Sequence, residues 1–525
     1  MTQKDAMLFN SYIFLFLFLP VCAGVFFALS AAAKSHRAPL YWLVFSSLVF
    51  YGYWNPVYLY LIGFSITSNY FFAALIARYR QHYFLLVAGV TFNLALIAYF
   101  KYAYFMVDNV NQIASTSYSI DAIVLPLAIS FFTFQQIAYL VDVHKRRAER
   151  CDFAEYVLFV TFFPQLIAGP IVHHREMMPQ FQRPATYRLD FDNLSIGLTI
   201  FFLGLFKKVA LADTVAIYAD SLFGLAESGT PLSFFEAWAA ATAYSFEIYF
   251  DFSAYSDMAV GLARMLNIKL PINFNSPYKA TNIVEFWRCW HMTLSRFLRD
   301  YLYVPLGGNR KGKLRRYLNL LLTMLIGGLW HGAAWNFVLW GGLHGCYLVC
   351  NHVWRRWSPL RERKAGIRRF VYRWVCRAAT FGLVTIAWVY FRETDVSVAT
   401  RIVETMLGFH GISLSVSLQP NFVALFGTHA TGYLQFSGIF PSADLHPSFV
   451  LYLLVLLIAV WLMPNVYDWM ASVDPVLLPD SSIRSGTSSS IQWRPSALVF
   501  IAILLIAFYS LSELGNEREF LYFQF

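Results

Sequence analysis

Charge is what this chain has least of. Only 13% of its 525 residues are charged, whereas 58% are hydrophobic, and mean hydropathy is +0.51. A soluble domain carries roughly a quarter charged residues. This chain cannot cover its own surface with polar groups, so a lipid bilayer is the solvent it fits. Its cysteines are few and scattered. Cys22, Cys151, Cys289, Cys346, Cys350 and Cys376 form no CxxC pair and no ligand cluster, so they predict packing residues rather than a disulfide framework or zinc site. His173 and His174 lack Cys or acidic partners at ligand spacing, and no metal is expected there. The first apolar run, 12–33, is too long for a signal core and no small-residue cleavage site closes it, so it reads as a retained span. There is no internal repeat, and Ser-rich 481–490 reads as a loop. Residues 1–525 are expected to form one membrane domain without a separate soluble part.

What is present is a series of apolar stretches near 12–33, 40–54, 57–77, 84–105, 122–143, 192–212, 233–266, 370–391, 448–464 and 496–514. They predict an all-α, multi-pass protein of about ten transmembrane helices. The net charge of +10 is concentrated between these stretches, which fits the positive-inside rule and argues against nucleic-acid binding. Lys34 and Arg37, Arg78 and Arg80, and Lys145, Arg146, Arg147 and Arg150 follow the first, third and fifth stretches, while the connections near Asn55 and 106–121 hold no Lys or Arg. That alternation puts the N-terminus and loops 213–232 and 395–447 outside, loop 353–369 in the cytoplasm, and, after ten crossings, the C-terminus outside.

Two segments do not read as simple spans. Residues 154–170 contain Pro164 and end in Gly169-Pro170, which predicts a broken, re-entrant piece. Residues 317–352 lie between two basic loops, so the segment must enter the membrane and return. Its turn carries Gly327-Gly-Leu-Trp-His-Gly332. An incoming arm 317–330 of about 21 Å reaches beyond the bilayer midplane, and an ionisable residue at that depth, His331, is a functional candidate. His344, on the outgoing arm, is expected to pack or support.

Ahead of the hairpin comes Glu285-Phe-Trp-Arg-Cys-Trp-His-Met-Thr-Leu-Ser-Arg-Phe-Leu-Arg299. As one helix this would place Arg288, His291, Ser295 and Arg299 on a single cationic face at the cytoplasmic interface, suited to the phosphates of an anionic donor. Glu247 and Asp251, four apart, and Asp257 beyond them fall in apolar surroundings, and pairing with Lys or Arg of neighbouring spans would account for them. Periodicity alone leaves an enzyme and a proton-coupled transporter both open.

Several blocks resemble the membrane-bound O-acyltransferase family, in particular its alginate O-acetylase branch. They are Phe9-Asn-Ser-Tyr-Ile-Phe-Leu-Phe-Leu-Phe-Leu-Pro20, Leu125-Pro-Leu-Ala-Ile-Ser-Phe-Phe-Thr-Phe-Gln135, Ile167-Ala-Gly-Pro170, Tyr249-Phe-Asp-Phe-Ser-Ala-Tyr-Ser-Asp-Met-Ala259, Glu285-Phe-Trp-Arg-Cys-Trp-His291, Asp300-Tyr-Leu-Tyr-Val-Pro-Leu-Gly-Gly-Asn-Arg310 and Gly327-Gly-Leu-Trp-His-Gly332. They occur in order over about 9–345 and are specific as a set. Cys289 departs from the pattern, since the branch often carries Arg there.

The resemblance implies an O-acetyltransferase of the bacterial inner membrane with His331 as catalytic histidine and His291 as a second histidine near the path. A tunnel would carry an acetyl group from a cytoplasmic thioester, acetyl-CoA or another acyl thioester, to an extracytoplasmic polysaccharide. Arg288, Ser295, Arg299, Trp330, Asp251 and Asp257 are the expected donor or tunnel residues. No permanently bound cofactor is expected. The acceptor is alginate or a similar exopolysaccharide, with peptidoglycan or cellulose as alternatives. A polysaccharide or lipid transporter is the alternative from another class, though no inverted repeat supports it. Relatives in the branch work with a separate extracytoplasmic SGNH-type transferase or esterase, and no GDSL-like serine block occurs here, so such a partner is expected. The tail, Glu519-Phe-Leu-Tyr-Phe-Gln-Phe525, resembles the aromatic C-terminal motif of the small protein that accompanies the teichoic-acid D-alanylation acyltransferase. This implies Tyr522 as an acyl carrier. An interfacial aromatic anchor and a protease-tag scar are the plainer readings of that tail.

Overall fold

The computed structural model describes residues 7–32, 35–121, 123–357, 366–414, 419–427, 435–436, 447–478, 492–514, 518 and 520–521. Their secondary structure is almost wholly helical, with one short parallel pairing of Ser413–Leu414 and Gln435–Phe436. Helices follow from the solvent. Lipid offers no partner to a backbone N–H or C=O, so each apolar run must satisfy its own.

Every stretch expected to span is helical: Phe14–Ala32, Arg37–Trp54, Tyr58–Arg78, Tyr83–Ala114, Ile129–His144, Phe191–Glu227, Phe234–Met265, Ile367–Arg392, Pro447–Leu462 and Ala497–Ser512. Five of these, Phe14–Ala32, Tyr58–Arg78, Tyr83–Ala114, Phe191–Glu227 and Ile367–Arg392, are long and apolar enough to cross a bilayer. Burial differs from that of a soluble bundle in two respects, large apolar side chains left on the surface and a polar cluster inside. Leu498, Phe500 and Phe508 are exposed, while Ser65, Asn69, Asn93 and Gln136 are buried and hydrogen-bonded to one another. Apolar side chains suit the lipid face, and hydrogen bonds between helices hold the interior.

The ends of three spans differ from expectation. Tyr83–Ala114 and Phe191–Glu227 run on through π-helical turns at Ala98–Tyr102 and Lys207–Ala212. Residues 213–227, expected in a loop, are therefore helix; Gly229 in left-handed backbone and Pro231 lie just past its end. Conversely, the 122–143 stretch becomes helical only at Ile129. Pro126 and left-handed Ala128 delay its start, since the backbone before and at proline resists the helical conformation.

The 154–170 segment is broken as expected. Phe153–Thr161 stops ahead of Pro164 and is buried over most of its length, and Phe163–Leu166 adds one fully buried turn. The six cysteines are unbridged, but Cys346 and Cys350 are exposed. They face outward from a membrane helix, so the expectation that all six pack inside is corrected for these two.

The chain forms two interleaved compact units, one of Met1–Val209, Phe252–Asn273 and Val466–Phe525, the other of Ala210–Asp251 and Phe274–Asn465. The helix Phe234–Met265 contributes to both.

Candidate active site

The second unit holds a helical hairpin, Lys313–His331 and Trp335–Trp357, closed by the turn 332–334. At about 1.5 Å per residue the incoming arm is about 28 Å long, more than the 21 Å expected. The arms can lie close because glycines face each other. A Cβ on Gly328 would strike the carbonyl oxygen of Phe337 and come 3.1 Å from Cα of Gly341, and one on Gly341 would strike the carbonyl of Met324. Gly332 has no room for a Cβ because the Phe337 ring occupies it.

His331 is the last residue of the incoming arm and is 3% exposed. Its ring is walled by aromatics. Trp340 meets it at 5.1 Å and 87°, Phe391 at 5.2 Å and 74°, and Trp330 at 4.9 Å and 72°. These edge-to-face contacts hold the plane of the imidazole. At that burial the ring is kept from bulk water.

His291 reaches the same neighbourhood by a different route. Residues 285–299 do not form one helix. Ile283–Cys289 stops at extended Trp290, His291 is left-handed with φ of 41°, and Met292–Leu298 begins anew. The shared face expected for Arg288, His291, Ser295 and Arg299 therefore does not exist. The kink turns His291 inward, where it is fully buried. Its ring lies 6.3 Å from Trp330 and is stacked on Phe274 at 6.3 Å. Lying between two short helices outside the long spans, its imidazole is pushed below its usual value by burial, which penalises the cation. His291 and His331 thus both border Trp330.

Arg288 stays exposed on the first short helix. Ser295 donates to the carbonyl of Trp290 at 3.3 Å. Arg299 makes two bonds to Asp300, at 2.7 and 3.1 Å. Asp251 is buried on Phe234–Met265.

On the outgoing arm the sequence points to His344 only as a packing or supporting residue and does not single out Trp340. Trp340 and His344, four residues apart, share a helix face. Trp340 packs on both His331 and His344, the latter at 4.8 Å. His344 also receives a hydrogen bond at Nδ1 from Trp287 Nε1, at 3.3 Å. The i, i+4 spacing of a Trp and a His after the turn was the available signal.

The first unit holds a different cluster. Asp257 is bound by Lys207 at 2.5 Å and by the Tyr467 hydroxyl at 2.6 Å, and Lys207 also donates to Ser253 at 3.0 Å. From the C-terminal tail Phe520 is 1% exposed, meets Tyr255 edge-on at 4.9 Å, and lies 4.5 Å beneath the Lys208 ammonium. Tyr522 lies outside the described residues.

Residues 75–391 match the membrane-bound O-acyltransferase family, MBOAT. The chain belongs to this family and is an acyltransferase of the membrane. It is 46% identical to the peptidoglycan O-acetyltransferase of Helicobacter pylori, covering 78% of this chain and 81% of that one. It is 39% identical to the probable alginate O-acetylase AlgI of Pseudomonas aeruginosa, covering 82% and 80%. A teichoic acid D-alanyltransferase of Streptococcus thermophilus is 27% identical over 46% of this chain and 61% of its own length.

Proposed function

We propose that this chain takes acetyl groups from a cytoplasmic thioester, acetyl-CoA in the simplest case, and passes them across a bacterial inner membrane for O-acetylation of an extracytoplasmic polysaccharide. The observation that carries this reading is His331, buried at the hairpin turn between perpendicular aromatic rings. There the imidazole takes the proton of an acceptor hydroxyl as its oxygen adds to the thioester carbonyl carbon. Collapse of the adduct breaks the carbon–sulfur bond, and the proton passes from the imidazolium to the thiolate. His291, beyond Trp330, supports that path, and exposed Arg288 receives donor phosphate. Arg299, tied to Asp300, contributes less.

Tyr522 is proposed as the hydroxyl that first accepts the acetyl group, since a phenyl ester is an activated donor. The seating of Phe520 two residues earlier supports a held tail. An SGNH-type partner outside would then move the group to the glycan. The acceptor is a bacterial envelope polysaccharide. Alginate or a similar exopolysaccharide was expected from motif resemblance, and the 46% identity to a peptidoglycan O-acetyltransferase favours peptidoglycan as a second reading.

The test is reconstitution in proteoliposomes with radiolabelled acetyl-CoA and the SGNH-type protein encoded beside it. Label is followed into the tail, the partner, peptidoglycan and alginate. No label in any of them with folded protein would refute the reading. Full acetylation by Tyr522→Phe would remove the carrier step alone. Orientation is checked in a cysteine-free background. His410→Cys should react with an impermeant maleimide from outside and Arg368→Cys should not; the reverse would invert the direction of transfer.

A further inference from the structure

The outgoing arm of the hairpin carries two buried N–H donors that the fold does not use. Trp340 is 1% exposed and His344 is fully buried. Trp340 Nε1 and His344 Nε2 have no hydrogen-bond partner among the described residues. For His344 the tautomer follows from its other nitrogen. Trp287 Nε1 can only donate, and it donates to Nδ1, so Nδ1 carries the lone pair and the proton of the neutral ring sits on Nε2. An indole nitrogen is a donor in every state. Two donors thus lie on one helix face, four residues apart, with their rings 4.8 Å apart and the first ring 5.1 Å from that of His331.

A buried donor without an acceptor costs about 1–3 kcal/mol. Two of them beside a proposed general base mark a place where an acceptor arrives during function. We propose that Trp340 and His344 form the oxyanion site of the acyl transfer, binding the carbonyl oxygen of the thioester. The inference rests on the acyl-transfer reading above. When the acceptor oxygen adds to the carbonyl carbon, the carbonyl π pair moves onto that oxygen. The two N–H groups stabilise the resulting negative charge. Collapse returns the pair to the carbonyl, expels the thiolate, and His331 returns its proton to sulfur. Trp287 is a positioning residue, since its hydrogen bond fixes which nitrogen of His344 carries the proton.

The contacts around His344 also fit the role. Trp287, Trp340 and Phe286 lie at 5.2, 4.8 and 6.1 Å from its ring, so no charged group competes for Nε2–H on those faces. An uncharged, aromatic enclosure strengthens each hydrogen bond to a developing oxyanion.

The test compares His344→Phe, which keeps an aromatic ring and removes the donor, with His344→Gln, whose side-chain amide restores an N–H near the Nε2 position. Initial rates of acetyl transfer from acetyl-CoA are measured in proteoliposomes, with thermal unfolding recorded on the same preparations. His344→Phe is expected to lower kcat about 100-fold with donor KM changed less than about threefold, and His344→Gln to recover at least about tenfold of that loss. Trp340→Phe should likewise lower kcat. If wild type transfers acetyl and folded His344→Phe keeps its kcat within about twofold, the oxyanion role is overturned while the acyltransferase reading stands. Should His344→Phe fail to fold, the Gln variant decides: wild-type unfolding with a kcat no better than His331→Ala would overturn the role. A wild-type protein unable to transfer acyl groups from any thioester would overturn the parent reading and this one with it.

Discussion

Two regions of this protein concentrate polar groups inside apolar surroundings, and they solve the problem in opposite ways. In the first unit Asp257, Lys207, Ser253 and Tyr467 satisfy one another, charge against charge and hydroxyl against carboxylate. In the second, His331, Trp340 and His344 touch through ring faces and edges, leaving two nitrogens unspent. A closed polar cluster is what a fold uses to hold helices together in lipid. A cluster with unused donors stores free energy that only a substrate can recover. On the proposals above, the first cluster is scaffold and the second is chemistry.

The largest expected effect breaks the second region. His331→Ala should lower acetyl transfer by about 100- to 10,000-fold while leaving thermal unfolding of the purified protein near wild type. Loss of folding in parallel with activity would place His331 among the scaffold residues instead. The mirror experiment breaks the first region. Asp257→Ala strands Lys207 and should destabilise the protein by about 3 kcal/mol, seen in thermal unfolding. The double replacement Lys207→Met with Asp257→Leu should restore most of that stability. If the double variant is no more stable than the single one, the pair contributes more than mutual neutralisation.

A third comparison uses pH. His174 packs on Tyr139 at 4.7 Å, and burial pushes its pKa from 6.5 down to about 4. Because the folded value lies below the unfolded one, the unfolded chain binds the proton first as pH falls. Stability is full above pH 6.5 and declines from there to about 4, by at most about 3 kcal/mol. His174→Gln should flatten that part of the profile; an unchanged slope would assign it to other groups. The smallest effect sharpens the donor assignment. Arg288→Ala should raise apparent KM for the donor about three- to tenfold with little change in kcat, and an unchanged KM would remove Arg288 from donor binding.

Much of the fold was legible because lipid imposes one rule everywhere. Apolar runs such as Phe14–Ala32 and Ile367–Arg392 must be helices, and Lys and Arg mark their ends. What the sequence hid was local backbone conformation. The segment 285–299 has helical periodicity throughout, yet it kinks where His291 takes a left-handed conformation, a change that hydrophobic spacing does not register. Likewise nothing between Lys207 and Glu227 stops a helix, and 213–232, which lacks Lys and Arg, reads as a loop on orientation grounds alone. His331 was found because an ionisable residue in an apolar hairpin is conspicuous. Trp340 does not stand out, and His344 reads only as a packing or supporting residue, because aromatic residues in a membrane helix look like packing until their nitrogens are counted.

The glycine crossing of the hairpin gives it the mechanics of an unequal lever. The arms touch at Gly328 and Gly341. His331 is three residues from that fulcrum, about 4.5 Å, whereas Lys313 is fifteen residues away, about 22 Å. A tilt of one arm about the crossing therefore moves the basic end about five times as far as the imidazole. The ends of the arms can open and close by several ångströms, as entry of the proposed donor requires, while the imidazole shifts by less than one.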